Sequence, residues 1–172
     1  MQTFMFPNIH KKSEDEVLIY FGGTETFGAS WQKEFSDYLS MFFSDNVVLS
    51  TCNGRDSGDV YQLCQWREYM AKQCDIFCMF FADTDSRAHQ AFYDLGRNIC
   101  KMQMKFPLDW QSRILIFCDA HYRDRLEVYF DTYLSTGIAP YDSLSWNDDT
   151  SQLLHQVQQQ LSNLIPNAFE NK

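Results

Sequence analysis

Two hydrophobic rhythms alternate along the chain. Val17-Leu18-Ile19-Tyr20-Phe21 is a continuous apolar run stopped by Gly22-Gly23, the pattern of a strand buried on both faces. Trp31, Phe35, Leu39 and Phe42 follow at helical spacing and form one apolar stripe. Asn46 to Ser50 predicts a second strand, and the TCNGRDSGD stretch behind it a loop, on turn chemistry alone. Leu63, Trp66, Met70 and Cys74 space a second helix, and Ile76 to Phe81 supplies a third strand. Ala88, Phe92, Leu95, Ile99 and Met102 space a third helix, for which Asp83-Thr84-Asp85-Ser86 offers N-cap candidates. Arg113 to Cys118 predicts a fourth strand, and Leu126, Phe130 and Tyr133 mark a fourth helix. The GIAPY segment predicts a fifth strand, and Leu153 to Leu164 a final Gln-rich helix.

Five βα units in succession predict an α/β, three-layer sandwich: a five-stranded parallel sheet covered on both sides, with right-handed crossovers. The expected strand order is 2-1-3-4-5, with the first and third strands central because their runs are the most uniformly apolar. Residues 1–15 hold a Pro, mixed charges and no period, so they read as an arm or edge segment. Residues 16–165 form the expected single domain and 166–172 a tail, with no internal repeat and no linker.

Composition narrows the class. With 172 residues and 16% aromatics the chain is long enough for one packed core, and aromatic-lined clefts are expected. A formal charge of −9 repels a polyphosphate backbone, so no nucleic-acid polymer is expected as a partner, while a single nucleotide can still be held by local donors. Cys52, Cys64, Cys74, Cys78, Cys100 and Cys118 include no CxxC pair, and several lie in apolar runs, so they read as reduced core thiols. His10, His89, His121 and His155 show no ligand spacing, which leaves a metal site without support. No basic leader and no membrane-length apolar segment is present, so no membrane partner and a cytoplasmic location are expected.

Ligands in a parallel sheet of this kind bind at the carboxyl ends of the strands. Those ends carry Gly22-Gly23-Thr24-Glu25-Thr26, Thr51-Cys52-Asn53-Gly54-Arg55-Asp56, Ala82-Asp83-Thr84-Asp85 and Asp119-Ala120-His121-Tyr122. The Gly pair lets backbone approach a ligand closely, or simply makes a tight strand-to-helix turn. Arg55 suits a ligand or its neighbour Asp56. Asp94 precedes Leu95 of the third helix's stripe, which puts it off the buried face, where a solvated carboxylate is the default. Arg67, Arg87 and Arg97 carry the same default, and Trp31 and Trp66, lying in stripes, are expected in the core.

The order and spacing of several of these features resemble one family. They are the first strand ending in a Gly pair and followed by Trp31-Gln32; the Asn53-Gly54-Arg55 loop; Trp66, eight residues ahead of Cys74-Asp75; the strand end Met79-Phe80-Phe81; and Phe92-Tyr93-Asp94-Leu95-Gly96. From Val17 to Leu161 the chain resembles the nucleoside 2-deoxyribosyltransferase-like proteins, flavodoxin-like domains of nucleotide metabolism that cleave or transfer the N-glycosidic bond of nucleosides. The resemblance implies a transferase or hydrolase working like a retaining glycosidase. In that family a Glu before Leu-Gly attacks the anomeric carbon, and water or a second base resolves the glycosyl-enzyme. Carried onto this chain, it makes Asp94 the nucleophile with Glu68 as a second catalytic carboxylate. Gly22, Gly23, Thr24, Arg55 and Arg67 then hold sugar or phosphate, and Trp66, Phe80 and Phe81 line the base. It implies no cofactor and a homo-oligomer that completes its sites with a neighbouring subunit.

Two positions depart from the family pattern. Asp94 stands where the family has Glu, one methylene shorter, and about 1 Å of misplacement can cost about a hundredfold in rate. Arg67 follows Trp66 where the family commonly has Glu, which reverses a charge and favours a phosphorylated ligand. An enzyme acting on a nucleoside or its monophosphate is therefore the leading expectation. A non-catalytic nucleotide-sensing module on the same fold is the second. A third is an FMN protein, on the partial likeness of Gly23-Thr24-Glu25-Thr26 to a flavodoxin phosphate loop.

Overall fold

The computed structural model describes residues 1–23, 31–51, 60–82, 89–143 and 150–165. The apolar runs become strands with no wet face: every residue of β3 (Val47–Thr51), β4 (Ile76–Phe81) and β5 (Ile114–Asp119) is buried. With β1 (Gln2–Met5), β2 (Val17–Gly23) and β6 (Tyr141–Ser143) they form one sheet in the order 1-3-2-4-5-6, with every neighbouring pair parallel. Parallel strands cannot be joined by tight hairpins, so the intervening chain crosses over the faces. The helices α1 (Trp31–Leu39), α2 (Val60–Gln73), α3 (His89–Lys105) and α4 (Arg125–Thr136) lie on such crossovers, and α5 (Thr150–Leu164) follows the last strand. The result is a flavodoxin-like α/β sandwich.

Strand alternation divides the core in two. Leu18, Tyr20, Phe77, Met79 and Phe81 face α2, α3 and α4, meeting Trp66, Met70, Leu95 and Val128. Ile19, Phe21, Ile76, Cys78 and Phe80 face α1 and α5, meeting Phe35, Leu39, Val157 and Leu161. Cys74, Cys78 and Cys118 are buried free thiols as expected, whereas Cys64 and Cys100, expected in the core with them, lie on outward helix faces and are exposed. Burial pushes the Cys78 thiol well above its ordinary value and, outweighing the nearby Lys105, raises Cys74 to about 12, so both are inert apolar groups at neutral pH. Among the described residues no helix is long and apolar enough to cross a membrane.

Three features differ from the expectation. The five expected strands keep the order 2-1-3-4-5, but the N-terminal segment adds a sixth at the edge, pairing Gln2 to Met5 with Val48 to Thr51. Residues 1–15 are consequently stitched into the domain: the terminal ammonium donates to Phe43 O at 3.0 Å, and Lys12 Nζ lies 2.5 Å from Asp75 Oδ2. The last strand begins only at Tyr141, because Gly137 takes the left-handed conformation (φ 73°) and donates its N–H to Tyr133 O, capping α4. Finally, Leu126, Phe130 and Tyr133 of α4 face outward, and the helix rests on the sheet through Val128 and Thr132.

Candidate functional site

The carboxyl edge of the sheet is closed at its centre by Gly22 and Gly23. A Cβ on Gly22 would lie 3.2 Å from Met79 Sδ and 3.4 Å from a Tyr20 ring carbon, so the missing side chain is a matter of core packing. Gly23 has φ 156°, which L side chains rarely adopt. The pair thus has a complete structural reason before any ligand is considered. Thr24 and Arg55 lie outside the described residues, as do Asn53, Asp83 and Arg87.

α2 and α3 lie side by side on one face, and a ladder of charges closes the seam between them. At its carboxyl-edge end, Arg67 Nη1 stands 3.4 Å from Asp94 Oδ2, and Arg97 Nη2 stands 3.2 Å from Asp94 Oδ1. One turn further on, Glu68 receives Lys101 at 2.6 Å, Arg97 at 3.1 Å and Lys72 at 3.5 Å. Asp94 is 8% exposed, against the expectation of a solvated helix-surface acid: α2 covers the flank that the stripe left outside. Arg67 and Arg97 likewise leave their expected solvated faces to sit in this seam. Arg67, Lys72, Arg97 and Lys101 outnumber the two carboxylates, so the seam is a local cationic strip in a chain of charge −9.

Glu68 is held in its anionic form. The hydrogen bond from Lys101, with Arg97 and Lys72 beside it, outweighs desolvation and lowers its pKa below the ordinary 4.5. An anion so held accepts protons poorly and donates none at neutral pH, which suits an electrostatic role better than general-acid catalysis.

Trp66, Phe80 and Phe81 are core residues. The Trp66 indole donates Nε1–H to Asn8 O at 2.8 Å and meets Phe6 edge-on at 5.9 Å. Phe80 packs on Phe35, while Phe81, pointing to the opposite face, packs on Phe92 and Tyr122. Both phenylalanines are fully buried, so neither presents a surface to a base.

Among the described residues, the buried side-chain polar atoms without a protein partner gather in two places. Ser50 Oγ and Thr51 Oγ1 end β3, and Tyr122 Oη follows β5, so three orphan hydroxyls mark the carboxyl edge. Both amide atoms of Asn98 and Nε of Arg97 lie in α3, within one turn of Asp94. Sequence reading missed Asn98 and left Tyr122 only as one letter of a polar strand end. The available signal was spacing, since Asn98 stands one helical turn from Asp94 and three residues from buried Leu95.

Two pockets lie away from this region. One of about 350 Å³ opens at the amino ends of β2 and β4, between Lys12, Asp75 and Arg113, whose charges are paired internally. The other, of about 320 Å³, runs between Phe6, Pro7, Ile9 and α2. Among the described residues no cluster of His, Cys, Asp and Glu has the form of a metal site. No protein-family model matches the chain, and no curated protein matches it.

Proposed function

We propose that this protein cleaves or transfers the N-glycosidic bond of a nucleoside or nucleoside monophosphate, with Asp94 as the nucleophile. The reading rests on the sequence resemblance and on one observation: Asp94 is a carboxylate withdrawn from water inside a cationic seam, with orphan polar atoms beside it and along the carboxyl edge. An Asp94 carboxylate oxygen attacks the anomeric carbon as the C–N bond breaks, and the departing base takes the electron pair and, over the full cycle, the proton that the resolving water or second base gives up. The glycosyl ester is then opened by water, giving free sugar, or by a second base, giving a new nucleoside. Cationic excess in the seam favours a phosphorylated substrate.

The test is chromatography of a panel of nucleosides and deoxynucleoside monophosphates after incubation with the protein. Free base from any of them, lost in Asp94→Ala with the fold intact, supports the proposal. Base release at the wild-type rate from Asp94→Ala overturns it.

A second reading is favoured by the same geometry. Each Asp94 oxygen already has a guanidinium beside it, which draws electron density from a nucleophile and suits a pocket that senses nucleotides without turnover. Saturable calorimetric binding of a monophosphate with no base released selects that reading.

A further inference from the structure

Two levels of charge contact share the seam between α2 and α3, and they differ in length. Lys101 Nζ meets Glu68 Oε2 at 2.6 Å, and Arg97 Nη1 meets the same oxygen at 3.1 Å. The ion pairs of Asp94 are longer, 3.2 Å to Arg97 Nη2 and 3.4 Å to Arg67 Nη1. Charge-assisted N–H···O bonds settle at about 2.7–2.9 Å, so Glu68 carries the tight contact and Asp94 the loose ones.

Arg97 joins the two levels. One of its terminal nitrogens faces Glu68 and the other Asp94, and its Cζ stands 5.7 Å from the centre of the Tyr93 ring. Glu68, itself fixed by Lys101, keeps that guanidinium in place whether or not Asp94 stays beside it. The carboxylate can therefore leave by rotation of one short side chain, without moving the cations.

Charge says what can take its place. The seam sets Arg67, Lys72, Arg97 and Lys101 against Glu68 and Asp94, an excess of two positive charges. A phosphate monoester carries about −1.5 to −2 at pH 7, and guanidinium forks match its oxygens two at a time. Further donors lie there without a protein partner: Arg97 Nε, and the amide of Asn98, a residue 1% exposed and one turn from Asp94. A dianion on the two guanidiniums outcompetes the single charge of Asp94 and repels it.

We infer that the substrate's phosphate displaces Asp94 from Arg67 and Arg97, so that the group that binds is also the switch that frees the carboxylate. Without it, guanidiniums hold the lone pairs with which Asp94 would attack. With it, the binding energy of a non-reacting group is used to release the attacking oxygen, which raises kcat more than it lowers KM. This catalytic consequence rests on the reading of Asp94 as nucleophile, and the exchange itself does not.

Calorimetric titration with inorganic phosphate tests the exchange, with thermal midpoints to show that each variant is folded. Asp94→Asn keeps the side chain's shape and removes the competing charge, so it should bind phosphate roughly tenfold more tightly than wild type. Asp94→Glu keeps the competitor and should bind no more tightly than wild type, while adding Arg97→Gln to Asp94→Asn should cancel the gain. The catalytic consequence is read by adding inorganic phosphite to a non-phosphorylated nucleoside that the protein cleaves, where base release should rise roughly tenfold. Equal phosphate affinity in wild type and Asp94→Asn overturns the exchange, and base release that phosphite leaves unchanged overturns the switch. Tighter phosphate binding by Asp94→Asn with no base released from any substrate supports the exchange and overturns the nucleophile reading instead, so the two failures are told apart.

Discussion

Arg67 of α2 lies 3.4 Å from the Asp94 carboxylate of α3, and that contact sets a cation of one helix against the buried carboxylate of the other. Neither residue is fully solvated, with side-chain exposures of 13% and 11%. The pair therefore bears on the packing of two helices as well as on chemistry. Asp94→Ala should destabilise the protein by about 1–3 kcal/mol, because it leaves Arg67 and Arg97 facing each other across a partly dry seam. Urea unfolding measures this, and a change within about 0.5 kcal/mol, as at ordinary surface sites, would show that the seam does not depend on Asp94.

Glu68 gives the seam a pH signature. Its carboxyl is held below the ordinary 4.5, chiefly by the Lys101 hydrogen bond, so the folded form binds the proton less readily than the unfolded chain does. The associated stability is present above about pH 4.5 and is lost as pH falls through the lowered folded value. Glu68→Gln removes that contribution. Thermal midpoints of wild type and Glu68→Gln should therefore differ at neutral pH and converge as pH falls through and below that lowered value. A gap that stays constant across that range would mean that Glu68 contributes nothing through its charge.

Trp66 ties the N-terminal segment to α2 through its bond to Asn8 O. Trp66→Phe loses that bond and part of the ring volume, at a cost of about 1–2 kcal/mol. The loss should appear first as faster proteolysis around residues 6–9, since the indole holds Asn8 while the ties of His10 and Lys12 to Gln73 and Asp75 lie beyond it. Unchanged cleavage in that stretch would place the restraint elsewhere, with Lys12 and Asp75 the next candidates.

What the sequence revealed and what it hid follow from one distinction. Period 2 and period 3.6 report how a segment distributes its apolar residues, so the buried parallel strands Ile76–Phe81 and Ile114–Asp119 were legible almost to the residue. The period does not say which face another element covers. Asp94 reads as solvated because it lies off its helix's stripe, yet α2 covers it, and Leu126 and Phe130 form a stripe that no described element covers. Both facts belong to the placement of one helix against another. The N-terminal strand escaped for a different reason: four residues of QTFM are too few to show a period, and its pairing with β3 is fixed by the Phe43 and Ser36 contacts beyond.

The two glycines at the end of β2 should respond differently to alanine. In Gly22→Ala the new Cβ meets a flexible Met79 side chain, which can shift by a few tenths of an ångström. In Gly23→Ala the backbone itself is strained, at a cost of about 1–3 kcal/mol. Chemical denaturation should thus rank Gly23→Ala below Gly22→Ala, and the reverse order would mean that Met79 cannot yield.

Asn98 offers the sharpest test of the packing beneath the seam. The residue is 1% exposed, and neither its carbonyl oxygen nor its amide nitrogen has a protein partner. A buried amide left in that condition costs about 1–3 kcal/mol relative to a satisfied one, whereas an apolar group of similar shape costs nothing in lost hydrogen bonds. Leucine has the branched outline of asparagine with bulkier ends, and is the better helix former. Its neighbours Leu95 and Met102 already provide an apolar wall. Asn98→Leu should therefore leave stability unchanged or raise it by up to about 2 kcal/mol, read from the urea midpoint at constant slope. Under the proposed function the same variant should impair ligand binding, since an orphan amide one turn from Asp94 is a donor and acceptor awaiting a polar substrate. A variant that loses more than about 1 kcal/mol of stability would show that the amide is satisfied after all. One that gains stability and binds monophosphate as wild type does would remove Asn98 from the site.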